Sequence, residues 1–278
     1  MVSCHKLSDM KALAVEWELL ASVSPHHFFL SWSWISTWLT SYNPDVSVLR
    51  VHHGSELIGL ALIVETMQKR HGVLDSKILM VHQTGNAAED QIWIEYNGFL
   101  FKQPLVKEAY AESMDFLLNR FPGWDEIVIG AVPNGVAEYL QHDKKLYRHD
   151  LWEAPTYGID LLELREGNKE YLSTLSRNTR YQIRRSGKRY ASRGDVKVQQ
   201  ASTVDQALQF FREIAPLHIA RWGVDDSGFT NPAFLKFHEA LIQGCWSKGQ
   251  IDYVVLLLLT RQSPIFTILH IMGEFIFT

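Results

Sequence analysis

Seven cations crowd one stretch of this chain: Arg177, Arg180, Arg184, Arg185, Lys188, Arg189 and Arg193, with no acid between positions 177 and 193. On a helix, Arg177, Arg180, Arg184 and Lys188 share a face, and like charges one turn apart repel by a few tenths of a kcal/mol per pair. Such a face calls for something anionic. Phosphates, an anionic sugar or RNA are the functional partners, with Tyr181 beside the cations as a further contact. Acids of the same chain, such as Asp160, Glu163 and Glu166, are the structural alternative.

A second group lies downstream. His218, Arg221 and Trp222 follow Pro216, where a distorted helix can turn polar groups into a cleft. A histidine titrates near neutral pH, so His218 is a candidate general base, with Arg221 and Trp222 as substrate contacts. A structural histidine at a helix end is the other reading. The third group is Glu95 and Tyr96, a carboxylate and a phenol that suit proton acceptance and donation. In a strand they face opposite sides, so both enter one cleft only through a bulge. A cross-strand ion pair is the alternative role for Glu95.

Metal chemistry is not expected. The adjacent pairs His26/His27 and His52/His53 do not converge on one ion without further ligands, and Cys4 and Cys245 have neither zinc-ligand nor disulfide-framework spacing. Trp32, Trp34 and Trp38 read as core, because aromatic side chains bury large areas.

The elements that hold these groups follow from periodicity. SDMKALAVEWELLAS and SWSWISTWLTSY are amphipathic helices, started at Ser8/Asp9 and Ser31. VSVLRVHH, ELIGLALIVETM, KILMVH and QIWIEY read as four strands, then a helix over 105–120, the strand DEIVIGAV, the helix NGVAEYLQ, and strands near LYRHDLW and YGIDLLEL. A basic helix from Asn168 to Arg193 ends at Gly194. Thr203 with Gln206 forms a capping box for a helix bent or broken at Pro216 and ending at Gly223. Asn231-Pro232 opens another, which ends at Gly249. IDYVVLLLL and PIFTILHI are strands, and EFIFT starts a third. The expected class is α/β of the α+β type, with mostly antiparallel twisted sheets flanked by helices.

Helix pair, four-stranded meander, helix, strand, helix and strands is the layout of the GNAT acyltransferase fold. Two such units in tandem resemble its Fem-type and CelD-like branch, on PHHFFLSWSWISTWL, ELIGLALIV, HQTGNAAEDQIWIEYNGFL, LSRNTRYQIRRSGKRYASRG and FFREIAPLHIARWGVDDSGFTNPAFLKFHEALI. The resemblance implies an N-terminal unit over 1–155 and a partial C-terminal unit over 156–278. It implies transfer of an acyl group, most simply acetyl from acetyl-CoA, to an amine of an amino sugar, amino acid or peptide. Glu95 then deprotonates the amine, Tyr96 protonates the thiolate, and Arg180, Tyr181, Arg184, Arg185, Arg221 and Trp222 bind substrate. Two alternatives accompany it: a non-catalytic binding module of this fold, or an aminoacyl-tRNA-dependent transferase, since Fem-type relatives use tRNA.

The phosphate loop of this fold usually reads Q/R-x-x-G-x-G/A, so that glycine lets backbone approach the anion. Its place in the first unit, Asn97 to Lys102, has one glycine and no such pattern, and Arg184 to Gly187 lies inside a helix. The second unit's loop falls beyond Thr278, and the open edge at Ile276 and Phe277 reads as truncated.

Of 278 residues, 46% are hydrophobic and 12% aromatic, and 27 basic residues against 31 acidic give a net charge of −4. That composition excludes disordered, collagen-like and disulfide-miniprotein classes, and it argues against a general DNA binder. VVLLLL at 254–259 is too short to span a bilayer, and charges break the N-terminal apolar pattern. A cytoplasmic protein without a membrane span is the expectation.

Overall fold

The computed structural model describes residues 1–120, 123–139, 147–259 and 264–266. Strand β1 (Val2–Lys6) precedes helix α1 (Met10–Ala21), where Asp9 caps the Lys11 and Ala12 amides. A 3₁₀ turn (Phe28–Leu30) leads into α2 (Trp32–Tyr42), capped by Ser31. Strands β2 (Val46–His53), β3 (Glu56–Arg70) and β4 (Leu74–Val81) follow, then α3 (Ala87–Asp90), β5 (Leu100–Phe101), α4 (Val106–Arg120), β6 (Glu126–Val128) and α5 (Asn134–Tyr139).

In the order β1-β2-β3-β4-β6, the first sheet is antiparallel from β1 to β4 and parallel between β4 and β6, and β5 pairs with β3. Aliphatic side chains on its two faces enter separate clusters. Val48, Leu60 and Leu62 meet α1 and α2 through Leu13, Trp17, Trp34 and Trp38; Leu49, Ala61, Ile63 and Leu79 meet α4 through Tyr110, Met114 and Leu117. This is period-two burial of a sheet covered on both sides. Trp34 and Trp38 are buried as expected, whereas Trp32 is only half-buried.

The second half holds α6 (Leu161–Glu166), α7 (Tyr171–Thr174), α8 (Arg177–Ala191), β7 (Asp195–Gln200), α9 (Val204–Trp222), a 3₁₀ turn (Gly228–Thr230), α10 (Pro232–Trp246), β8 (Val254–Leu259) and β9 (Pro264–Phe266). Strands β7, β8 and β9 form an antiparallel sheet in that order. The run β7, α9, 3₁₀ turn, α10, β8, β9 repeats the run β1, α1, 3₁₀ turn, α2, β2, β3, with the same strand pairings. Each 3₁₀ turn ends on the polar cap of the next helix, Ser31 or Asn231.

The matching helices α2 and α10 pack on each other. Trp34 and Phe237 meet edge-on at 4.7 Å, the Tyr42 hydroxyl donates to Ala233 O at 2.8 Å, and Lys248 Nζ donates to Ser33 Oγ at 3.2 Å. One apolar cluster therefore runs from Leu13 and Trp34 through to Phe211, Phe237 and Val255.

Several expectations change. QIWIEY is a loop, because Trp93 and Tyr96 take left-handed backbone with φ of 59° and 47°, which no strand accommodates. Residues 147–160 have no regular structure, and Leu161–Glu166 is helical because the Asp160 side chain caps the Glu163 amide. The basic helix starts at Ser176, whose hydroxyl accepts from the Thr179 amide, and ends on a right-handed Ser192 before Gly194. Helix α9 runs unbroken through Pro216. Strands β1 and β7 were not anticipated. The Thr260–Ser263 turn, TILHI, EFIFT, Ile276 and Phe277 lie outside the described residues, as do Leu146 and the last two residues of NGVAEYLQ.

Candidate functional site

Each 3₁₀ turn carries a polar residue at its own start: His27 in the first copy, Ser227 in the second. The loop after α3 lies across both. Its Tyr96 ring stacks on His27 at 4.0 Å, and its Trp93 ring sits 4.6 Å from Phe234, 6.5 Å from Phe229 and 5.6 Å from His218. Bulky residues with positive φ store strain, and two within four residues mark a segment held in place by its surroundings. Asn231 supplies part of that hold, because its side-chain nitrogen donates to Ala88 O at 2.7 Å and to Gln91 Oε1 at 2.9 Å.

His218 stands at this junction, half-buried on the last turns of α9. Its Nδ1 lies 2.9 Å from Ser227 Oγ, and burial pushes its pKa below the usual histidine value. Trp222, one turn on, is 55% exposed, with its ring 6.3 Å from His218 and the Arg221 guanidinium 5.1 Å from the indole centre. Trp93 is 44% exposed. Two part-exposed indoles thus flank a half-buried imidazole, with a cation over the outer one.

The loop brings Glu95 and Tyr96 to the same junction. Glu95 is exposed, and among the described residues no ion pair engages it. Trp93 makes the link to His218; among the described residues no hydrogen bond or ring contact joins Glu95 or Tyr96 to the imidazole itself.

The basic helix forms a separate surface. Tyr181, Arg184, Arg185, Lys188, Arg189 and Ser192 line an open groove of about 450 Å³. Among the described residues, none of the seven cations has an acid partner. The acids expected to pair with them are used elsewhere: Asp160 caps α6 and Glu163 pairs with Lys169 at 3.2 Å. Arg180 is turned inward instead, and its guanidinium donates to the carbonyls of Leu175 and Ser173. The remaining cations suit a polyphosphate or another polyanion, because arginine forks match phosphate oxygens in pairs.

A third feature lies in the first sheet, where β4 and β6 part beyond the Met80–Val128 pair. In the fold that the sequence resembles, parted strands offer open amides to a thioester carbonyl. Here one amide at the parting is taken, since Gly130 N donates to Gln83 Oε1 at 3.0 Å, and the loop residue Asn97 donates its N–H to Ala131 O at 3.1 Å. His82 closes the other side, with Nδ1–H donating to Asn97 Oδ1 at 2.9 Å and Nε2 accepting from Leu62 N at 3.1 Å. The ring is fully buried and its pKa falls to about 4, by desolvation, against the opposing Asn97 bond.

Among the described residues no group of three or more His, Cys, Asp or Glu is placed to hold a metal ion, and no helix is long and apolar enough to cross a membrane. The sequence named His218, Arg221, Trp222 and the basic helix directly. It missed Trp93, whose partners are distant in the chain, and Ser227, which meets His218 nine residues earlier only through the turn that follows α9. One local signal was present: Ser227 and Asn231 bracket the second turn as His27 and Ser31 bracket the first.

Residues 177–262, from α8 into β8 and the segment after it, match the family model of the acetyltransferase (GNAT) domain. That part of the chain is therefore similar to an acyltransferase class of domain, in line with the resemblance read from the sequence. A crystal structure of FemX superposes with a TM-score of 0.46 at 14% identity, over 91% of this chain and 58% of that one. The chain thus spans under two thirds of the FemX chain's length. No curated protein matches the sequence.

Proposed function

We propose that this protein is an N-acyltransferase that moves an acyl group, acetyl from acetyl-CoA in the simplest case, to the amine of an amino sugar, amino acid or peptide. The observation that carries the reading is the meeting of Trp93, in the 92–97 loop, with His218, itself bonded to Ser227, which sets candidate proton-handling groups from the first half against the family-matched segment. In this reading the two repeats correspond to an N-terminal unit over 1–155 and a C-terminal unit from 156.

The acceptor amine loses a proton to Glu95, whose exposed carboxylate is free to accept it. The amine nitrogen then attacks the thioester carbonyl, the N–C bond forms as the C=O π pair moves onto oxygen, and when that pair returns the C–S bond breaks; the departing thiolate takes a proton from Tyr96, and the second proton shed by the nitrogen as the amide forms returns to the Tyr96 phenolate. His218 faces the reacting carbonyl, and Trp93, Trp222 and Arg221 hold the acceptor. The groove of Tyr181, Arg184 and Arg185 suits the cofactor's phosphates, with Arg180 fixing the start of that helix. The occupied Gly130 amide at the β4–β6 parting favours a cofactor carried by the second unit. A cytoplasmic location fits this chemistry.

Acetyl-CoA-dependent release of free thiol, followed with amino sugar, amino acid and peptide acceptors in turn, tests the reading. Turnover with any acceptor class supports it; release no faster than buffer hydrolysis across all three removes it. A second reading, aminoacyl-tRNA-dependent transfer, is favoured by the same unpaired cations with Tyr181 and Tyr190 among them, since an RNA backbone also meets such a face. Salt-sensitive binding of tRNA without any response to acetyl-CoA selects that alternative.

A further inference from the structure

We infer that Ser227 is a positioning residue that holds His218 as the Nε2-protonated neutral imidazole, so that His218 offers the junction a hydrogen-bond donor and not a proton acceptor. The inference rests on the proposed acyl transfer only for what the donor meets; the tautomer itself rests on geometry.

Ser227 is 1% exposed, so its hydroxyl has no water to turn to. Its oxygen already accepts from the Phe229 amide at 3.3 Å, the bond that caps the 3₁₀ turn. Among the described residues, the hydroxyl proton has a single acceptor within reach, His218 Nδ1 at 2.9 Å. If Nδ1 carried the proton, Ser227 Oγ would accept twice and its own hydrogen would be buried without a partner, which is disfavoured. Nδ1 must therefore be the acceptor, and the ring proton sits on Nε2.

Protonating the ring to imidazolium creates the same conflict, since both nitrogens would then donate. Burial acts in the same direction, lowering the pKa of the ring. Nε2 has no hydrogen-bond partner among the described residues, and it belongs to a ring lying between Trp93 and Trp222. A neutral N–H there recognises oxygen: the carbonyl of the acyl donor as negative charge gathers on it, or a carbonyl or carboxylate of the acceptor. The proton leaving the amine has to go elsewhere, to Glu95.

Nitrogen-correlated NMR of the full chain, selectively labelled on histidine and assigned through a His218→Gln control, reads the tautomer without any turnover. The wild type is expected to show Nε2 protonated and Nδ1 unprotonated. Ser227→Ala should release the preference by roughly 10- to 100-fold, the size of an unpaired buried hydroxyl, and Ser227→Thr, which keeps the hydroxyl, should restore it. A wild-type ring protonated on Nδ1 overturns the inference, as does a preference unchanged in Ser227→Ala; if that variant does not fold, the wild-type spectrum still decides. In turnover, His218→Gln keeps an N–H donor but cannot serve as a base, so it should retain activity to within about tenfold while His218→Ala loses at least tenfold more. Equal loss in both variants contradicts the donor role and leaves the transferase reading intact. Absence of turnover in the wild type contradicts the transferase reading and leaves the tautomer standing.

Discussion

Asn231 and Gln91 are joined across the repeat junction: the Asn231 side-chain nitrogen donates to Gln91 Oε1 at 2.9 Å while its oxygen accepts from the Ala233 amide at 2.9 Å and caps α10. One side chain thus starts a helix of the second repeat and anchors the loop of the first. Asp in its place keeps the cap but turns a carboxylate toward two oxygen acceptors. Asn231→Asp is expected to lose about 1–2 kcal/mol of stability, and Asn231→Ala about 1 kcal/mol more, since it also removes the cap. Urea midpoints at constant m-value check this. An Asn231→Asp chain as stable as the wild type means the loop is not held from α10.

Trp93 carries the loop's contact with the second half. Removing its indole by Trp93→Ala takes away the edge-on contact with Phe234, and the position is already part-exposed, so the expected cost is about 1–2 kcal/mol. If acceptor binds at this junction, KM for the acceptor rises at least about tenfold while the affinity for acetyl-CoA stays within about twofold. Equal effects on both substrates argue that the tryptophan only stabilises the fold.

The basic helix separates binding from stability. Arg184 and Arg185 are exposed and lack acid partners among the described residues, so Arg184→Glu/Arg185→Glu should change unfolding free energy by no more than about 0.5 kcal/mol. Anion affinity should fall at least about tenfold, with a shallower dependence on salt. Affinity unchanged in the double variant shows the face to be merely solvated.

His82 predicts a pH dependence. Its folded pKa, about 4, lies below the ordinary value of 6.5, because the ring is buried with both nitrogens bonded. Between these two values the unfolded chain binds a proton that the folded chain does not. Stability is therefore retained above about pH 6.5 and lost as pH falls toward 4, by about 3 kcal/mol for the full shift. His82→Gln should flatten that window in denaturant titrations at pH 7, 5.5 and 4.5. A wild type equally stable across the window shows that His82 is not buried in this form.

The helices that frame the site were legible because local rules govern them: Ser31, Thr203 with Gln206, and Asn231 with Pro232 mark starts whose hydrogen bonds the structure contains. QIWIEY shows where such rules stop. Its alternation of buried Ile92 and Ile94 with exposed Trp93 and Glu95 is present, but it comes from a loop lying over the core. Periodicity reports which side chains are covered, not whether a neighbouring strand supplies backbone partners. Leu161–Glu166 failed for a related reason, since one aspartate cap outweighed a short apolar run. The site was half legible: His218 and the cations stand out by type, whereas Trp93 and Ser227 gain their meaning only once α9, the second turn and the loop are brought together.

The most direct measurement is the thermal midpoint of the chain with and without acetyl-CoA, with tRNA as the parallel arm. At 100 times the dissociation constant, binding to the folded state adds about 2.7 kcal/mol, which raises the midpoint by several degrees. The account predicts that rise with acetyl-CoA and its reduction in Arg184→Glu/Arg185→Glu. A midpoint that ignores acetyl-CoA at every concentration, whether or not tRNA moves it, contradicts acyl-CoA-dependent transfer by this protein.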